Sequence, residues 1–142
     1  MDSSFTVRKA LNGRDGYVSF ESVNYPNRFI RHAGYVLWLH EPDGSDLFKN
    51  DASFRIVGAK NGADGYFSVE SSNYPNYFIR HENFRCKISP EINTPLFNED
   101  ASWKTSTISE FLQPKIGSKI NFQSHNYPSY FMKERNSEIW ID

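Results

Sequence analysis

The sequence predicts an all-β fold, a β-trefoil of three pseudo-symmetric repeats in which the N-terminal strand completes the third. Three observations carry that expectation. The segment NYPNRFIRH at 24–32 returns as NYPNYFIRH at 73–81 and as NYPSYFMKE at 126–134. A second block behaves in the same way, with DSSF at 2–5, DASF at 51–54 and DASW at 100–103. Between these anchors short strand-like runs alternate with turn residues, and no window longer than ten residues has clean helical periodicity.

The period is plain. Asn24 to Asn73 spans 49 residues and Asn73 to Asn126 spans 53, while Asp2 to Asp51 and Asp51 to Asp100 each span 49. The stretch DSSFTVRKALNGRDG at the N-terminus lines up with DASFRIVGAKNGADG, which in a complete repeat follows the NYP segment. The expected repeats are therefore about 11–59, 60–109 and 118–142 plus 1–10, within one domain over 1–142. Such a division requires the termini to meet, which excludes an open solenoid and favours a closed ring without exposed sheet edges.

Within a repeat, YVSFES alternates apolar and polar residues, FIRH is short and β-prone, YVLWLHE alternates again, and SFRIVGA is a fourth run. NYPN, HAG, EPDGSD and KNGADG supply the turns between them. Four strands in each of three units predict twelve. The connection KTSTISEFLQPKIG is longer than its counterparts and is expected to be a surface insertion, with one helical turn over ISEFLQ.

Composition bounds the chemistry. A chain of 142 residues fits one domain, and a domain of that size buries roughly two-thirds of its unfolded surface. Charged residues make up 23% and the net charge is -1, so no nucleic acid and no acidic membrane surface is expected as a partner. The single cysteine, Cys86, lies in the alternating run FRCKIS and reads as a small buried apolar residue. No apolar run reaches the roughly 18 residues of a membrane span, and MDSSFTVRKALNG lacks the apolar centre of a secretion signal. The expectation is a soluble monomer, either intracellular or a mature or excised domain. Aromatic residues reach 16%, a load that suits both an all-β core and a sugar-binding surface.

No cofactor is expected. His32, His40, His81 and His125 stand in no zinc-ligand spacing, and neither a nucleophile elbow nor a phosphate-binding glycine motif is present. Glycoside hydrolysis needs two carboxylates facing one bond at roughly 5 to 9 Å. A constellation duplicated in symmetric units suits binding better than catalysis, because a second weak site raises avidity on a repeating polymer.

The duplicated constellation is specific. Tyr25 precedes His32 by seven residues and Tyr74 precedes His81 by seven, and an aspartate follows each histidine by 19 residues, at Asp51 and Asp100. Tyrosine offers an apolar ring face, histidine a neutral donor or acceptor, and aspartate an acceptor-only carboxylate. A small sugar takes that mixture, stacking C–H faces on aromatic carbon and satisfying its hydroxyls at fixed angles. The prolines Pro26, Pro75 and Pro128 make NYP a turn in its own right. The third copy keeps Asn126, Tyr127 and Pro128 but carries Lys133-Glu134 where the others carry Arg-His. A residue needed by the scaffold should survive in every copy, so the histidines are the residues most tied to a ligand.

GYVSFESVNYPNRFIRH followed by DGSDLFKNDASFRIV resembles the arabinose-binding β-trefoil module of α-L-arabinofuranosidase B enzymes, and the similarity runs over almost the whole chain. The resemblance implies pockets in individual repeats that bind arabinofuranose side chains of hemicellulose such as arabinoxylan and arabinan. It assigns Tyr25, His32 and Asp51 to a first pocket and Tyr74, His81 and Asp100 to a second. It also implies binding without hydrolysis, since that family's catalytic residues belong to a separate domain. The expected partner is thus an arabinofuranose-containing polysaccharide or small sugar. A protein-interaction or lectin-like trefoil that has diverged from arabinose binding is the alternative.

Overall fold

Short runs of β-branched and aromatic residues bracketed by turn residues become the strands. The computed structural model describes residues 4–105 and 114–142, so Asp2 and the helical turn expected over ISEFLQ lie outside the described residues. The elements in chain order are β1 (Phe5–Lys9), β2 (Val18–Ser22), β3 (Phe29–Ala33), β4 (Val36–His40), α1 (Asp46–Asp51), β5 (Phe54–Gly58), β6 (Phe67–Ser71), β7 (Tyr77–Glu82) and β8 (Arg85–Pro90). They continue as α2 (Pro95–Asp100), β9 (Trp103–Lys104), β10 (Lys119–Ile120), β11 (Gln123–Ser124), β12 (Met132–Arg135) and β13 (Glu138–Ile141). Among the described residues thirteen strands join in one sheet, and the fold is all-β. Twelve were expected; one extra arises because the strand counterpart to β2 and β6 is split around Asn121-Phe122.

The strands form two sets. In one, β1 pairs with β2, β2 with β5, β5 with β6, β6 with β9, β9 with β11 and β10 with β1, all antiparallel. Because β10 and β11 are adjacent pieces of residues 119–124, these pairings run in a ring, and Phe5 sits opposite Ile120. In the other set, β3–β4, β7–β8 and β12–β13 are hairpins with two-residue turns. Their central residues, Gly34-Tyr35, Asn83-Phe84 and Asn136-Ser137, all have positive φ, as a type I′ turn demands. Three backbone bonds of 2.8 Å tie the hairpins into a cycle: Leu39 N–H donates to Ser137 O, Ile88 N–H to Tyr35 O, and Ile141 N–H to Phe84 O.

Inward-facing positions of both sets supply one core. Phe122 lies at its centre, with ring centroids 5.1 Å from Phe20, 5.7 Å from Phe5, 6.0 Å from Phe67 and 6.4 Å from Trp103. Cys86 is fully buried in this core, and burial pushes its thiol well above the usual range, which leaves it inert.

The helices were not expected. At six residues each they are too short to show a periodicity, but their starts are written locally. Ser45 Oγ accepts from Phe48 N–H at 3.0 Å, and Thr94 Oγ1 accepts from Phe97 N–H at 3.2 Å with Pro95 opening the first turn. Each helix buries its phenylalanine, Phe48 or Phe97, and ends on an aspartate, Asp51 or Asp100.

Candidate functional site

Those two terminal aspartates anchor matching sites. Asp51 is 4% exposed and Asp100 is 5% exposed, so each carboxylate needs partners. Arg31 Nη2 donates to Asp51 Oδ2 at 2.8 Å, and Asn73 Nδ2 donates to Asp51 Oδ1 at 2.9 Å. In the second site Arg80 Nη2 donates to Asp100 Oδ2 at 2.6 Å and Asn126 Nδ2 to Asp100 Oδ1 at 2.8 Å. The asparagine oxygen then meets histidine: His32 Nε2 lies 2.8 Å from Asn73 Oδ1, and His81 Nε2 lies 2.8 Å from Asn126 Oδ1.

This chain of contacts fixes the histidine tautomer. A carboxylate only accepts, so the asparagine must turn its amide nitrogen to Asp and its oxygen to His. That oxygen accepts in turn, which places the proton on Nε2 and leaves Nδ1 as the ring's acceptor. Burial, the largest influence, pushes both histidines below their ordinary pKa of 6.5, opposed by the asparagine bond and the aspartate charge. Both rings are neutral at pH 7.

Aromatic residues wall each site. Tyr74 meets His32 edge to face at 5.0 Å, and Tyr35 stacks on Tyr77 at 5.9 Å. Tyr127 meets His81 at 5.4 Å, and Phe84 stacks on Tyr130 at 5.7 Å. The first site opens into a cavity of about 280 Å³ lined by Arg31, His32, Asp51 and Tyr74, with Tyr35 and Leu47 at its edge. The second opens into about 340 Å³ lined by Arg80, His81, Asp100, Asn126 and Tyr127. Each cavity therefore combines charged donors, carboxylate oxygens and an aromatic face around a half-open depression.

Tyrosine grouping differs from the sequence reading. His32 and Asp51 come together with Tyr74, and His81 and Asp100 come together with Tyr127. Tyr25 is no wall of the His32 cavity: it is 41% exposed, lies under the Arg28 guanidinium at 5.1 Å and donates its N–H to Ser22 Oγ at 3.0 Å. The reason is that each site forms between repeats, where one repeat gives Arg, His and Asp and the next gives Asn and Tyr. The asparagines Asn73 and Asn126 escaped the sequence reading, which assigned NYP to the turn. Their presence in all three copies was the available signal, but a turn explained it equally well. Leu47, Leu96, Tyr35 and Phe84 carried no signal.

An all-β domain with two matching cavities at the junctions of its repeats is the class that fold and site define. The chain belongs to the alpha-L-arabinofuranosidase B (ABFB) domain family, whose model matches residues 1–105 and 58–142 in overlapping stretches. Alpha-L-arabinofuranosidase B of Emericella nidulans is 45% identical over 53 residues, 35% of this chain and 10% of that protein. Probable alpha-L-arabinofuranosidase B of Aspergillus clavatus is 44% identical over 50 residues, again 10% of its length. A GH54 α-L-arabinofuranosidase soaked with a cyclic sulfate inhibitor superposes with a TM-score of 0.71 at 22% identity, over 97% of this chain and 25% of the other. An arabinofuranosidase complexed with arabinofuranosyl-α-1,2-xylobiose gives 0.69 at 21% identity with the same coverage. An endo-β-galactosidase from Clostridium perfringens gives 0.60 at 9% identity, over 99% of this chain and 28% of that one. The chain thus spans about a tenth of the curated relatives' length in its matches and about a quarter of the solved arabinofuranosidases.

Proposed function

We propose that this chain is a non-catalytic carbohydrate-binding module, a single β-trefoil domain that holds arabinofuranose side chains of hemicellulose in two pockets. The duplicated Arg–Asp–Asn–His chain beneath a tyrosine carries this reading. In it, Arg31, His32, Asp51, Asn73 and Tyr74 form one pocket, and Arg80, His81, Asp100, Asn126 and Tyr127 form the other. A furanose packs a C–H face on the tyrosine while its vicinal hydroxyls bond the aspartate and histidine acceptors and the arginine donor. The family and the arabinofuranosidases among its relatives support arabinofuranose as the sugar. The ring of strands and the cycle of three hairpins support the trefoil, with the third repeat completed by β1.

Each pocket offers few contacts, so the expected affinity for a monosaccharide is weak, about 0.1 to 1 mM. Two such pockets raise the avidity of a monomer on a branched polymer. The test is an NMR titration with methyl α-L-arabinofuranoside and arabinoxylan oligosaccharides on the parent, His32→Ala and His81→Ala chains. The expected result is two independent sets of shifted amides, each lost with its own histidine. No shifts at high sugar concentration, or shifts indifferent to both substitutions, overturn the reading and favour a diverged protein-interaction domain.

A further inference from the structure

The two pockets share one backbone but not one rim. Both are closed on one side by a type I′ turn with nearly the same φ values, 60° and 69° at Gly34-Tyr35 against 51° and 65° at Asn83-Phe84. Differences at this edge are therefore differences of side chain alone. The first turn presents Ala33, Gly34 and Tyr35, and a Cβ built on Gly34 meets no atom within 4 Å. The second presents Glu82, Asn83 and Phe84.

The next layer follows the same split. Across the hairpin from Arg31 stands Trp38, whose Nε1 donates inward to Ala33 O at 3.1 Å, whereas across from Arg80 stands Lys87. Lys87 Nζ donates to Glu82 Oε1 at 3.0 Å, and both side chains stay in solvent, 30% and 51% exposed. One rim is thus an apolar wall with a single phenol, while the other is a paired donor and acceptor beside an amide.

Resting on the proposed sugar-binding reading, we infer that the turn Glu82-Asn83-Phe84 makes the second pocket recognise the sugar residue attached to the bound terminal one. The first pocket recognises the terminal residue alone. Asp100 and His81 are buried at the base of the second cavity, while Glu82 and Asn83 are exposed at its edge. A ligand seated at the base reaches the edge only through the residue to which it is linked. That residue brings fresh hydroxyls, which match a carboxylate and an amide in one place, the carboxylate being paired with Lys87. Nothing at Ala33-Gly34 offers a side-chain hydrogen bond.

The experiment compares methyl α-L-arabinofuranoside with an arabinofuranosyl xylobiose by NMR titration, following amides near His32 and His81 separately in one molecule. The second pocket is expected to prefer the oligosaccharide by about threefold to tenfold, the size of one or two net hydrogen bonds, and the first to show a ratio near one. Exchanging the turns, with Ala33→Glu, Gly34→Asn and Tyr35→Phe in one chain and Glu82→Ala, Asn83→Gly and Phe84→Tyr in another, should move the preference with the turn. Asparagine tolerates positive φ, so the exchanged backbone is accessible. Should an exchange fail to fold, Glu82→Ala alone should lower the second pocket's ratio and leave the first unchanged. Equal ratios in both pockets, or a preference that stays put after the exchange, overturn this inference while leaving sugar binding intact. Absence of any shift in either pocket takes both readings down together.

Discussion

The two pocket-bearing repeat junctions and the third corner of the molecule keep the same frame and differ in what they hang on it. At the third corner the hairpin turn again has positive φ at both central residues, Ile141 N–H closes the same backbone cycle, and Tyr25 N–H still donates to a serine, Ser22, at 3.0 Å. The groups facing the junction have changed. Lys133 and Glu134 stand where Arg31 and His32, or Arg80 and His81, stand elsewhere. Ser137 replaces the aromatic tip, and Arg28 replaces the tyrosine on which that tip stacks. Glu134 turns to its own hairpin and accepts Ser137 N–H at 2.8 Å. Buried Met132, Ile139 and Ile141 hold the hairpin regardless. Apolar burial and backbone bonds persist at all three corners, so the frame survives the wholesale exchange of these junction side chains at the third.

The sharpest break of this comparison removes a buried charge. Asp100→Ala leaves the Arg80 guanidinium, whose side chain is 9% exposed, without its partner, and urea unfolding should show a loss of about 3 to 5 kcal/mol. Asp51→Ala should cost somewhat less, since the Arg31 side chain is 15% exposed. Asn126→Ala strips one bond from Asp100 and one from His81, and should cost about 1 to 3 kcal/mol while erasing sugar-induced shifts in the second pocket only.

Acid offers a graded test. Both pocket histidines titrate below 6.5 in the fold and near 6.5 in the unfolded chain, so the unfolded state binds more protons within that window. Stability should be full above 6.5 and should fall as pH drops below it. Binding should weaken over the same range, because a protonated ring loses its Nδ1 acceptor. His40, lowered by burial and by Arg31 and Arg28, adds to the stability loss with the same sign. Thermal unfolding between pH 7.5 and 5 should therefore slope less steeply in the His32→Gln, His81→Gln double variant.

Two smaller effects sharpen the contrast from the other side. Glu134→Ala should cost only about 0.5 to 1.5 kcal/mol, the bond to Ser137, and leave both sugar titrations unchanged. Tyr25→Ala should cost about 0.5 to 1 kcal/mol from its contact with Arg28 and should likewise leave both pockets unaffected. Loss of binding in the first pocket on Tyr25→Ala would restore the grouping read from the sequence and contradict the geometry.

Much of this molecule is legible in its sequence. Repeat spacing, alternation and turn residues determined an all-β chain, because each is a local property of a short window. The exchange of Arg-His for Lys-Glu marked Arg31, His32, Arg80 and His81 as the variable chemistry, since scaffold residues recur in all three copies. The partners of those residues were another matter. A tyrosine seven positions before a histidine and one 42 positions after it are equally available on paper, and so are the turn and bridging roles of Asn73. Only the cyclic closure of the three hairpins, a pairing of distant strands, decided that each His–Asp pair faces the next repeat's Asn and Tyr. Two six-residue helices, too short for periodicity to report, then fixed where the aspartates end.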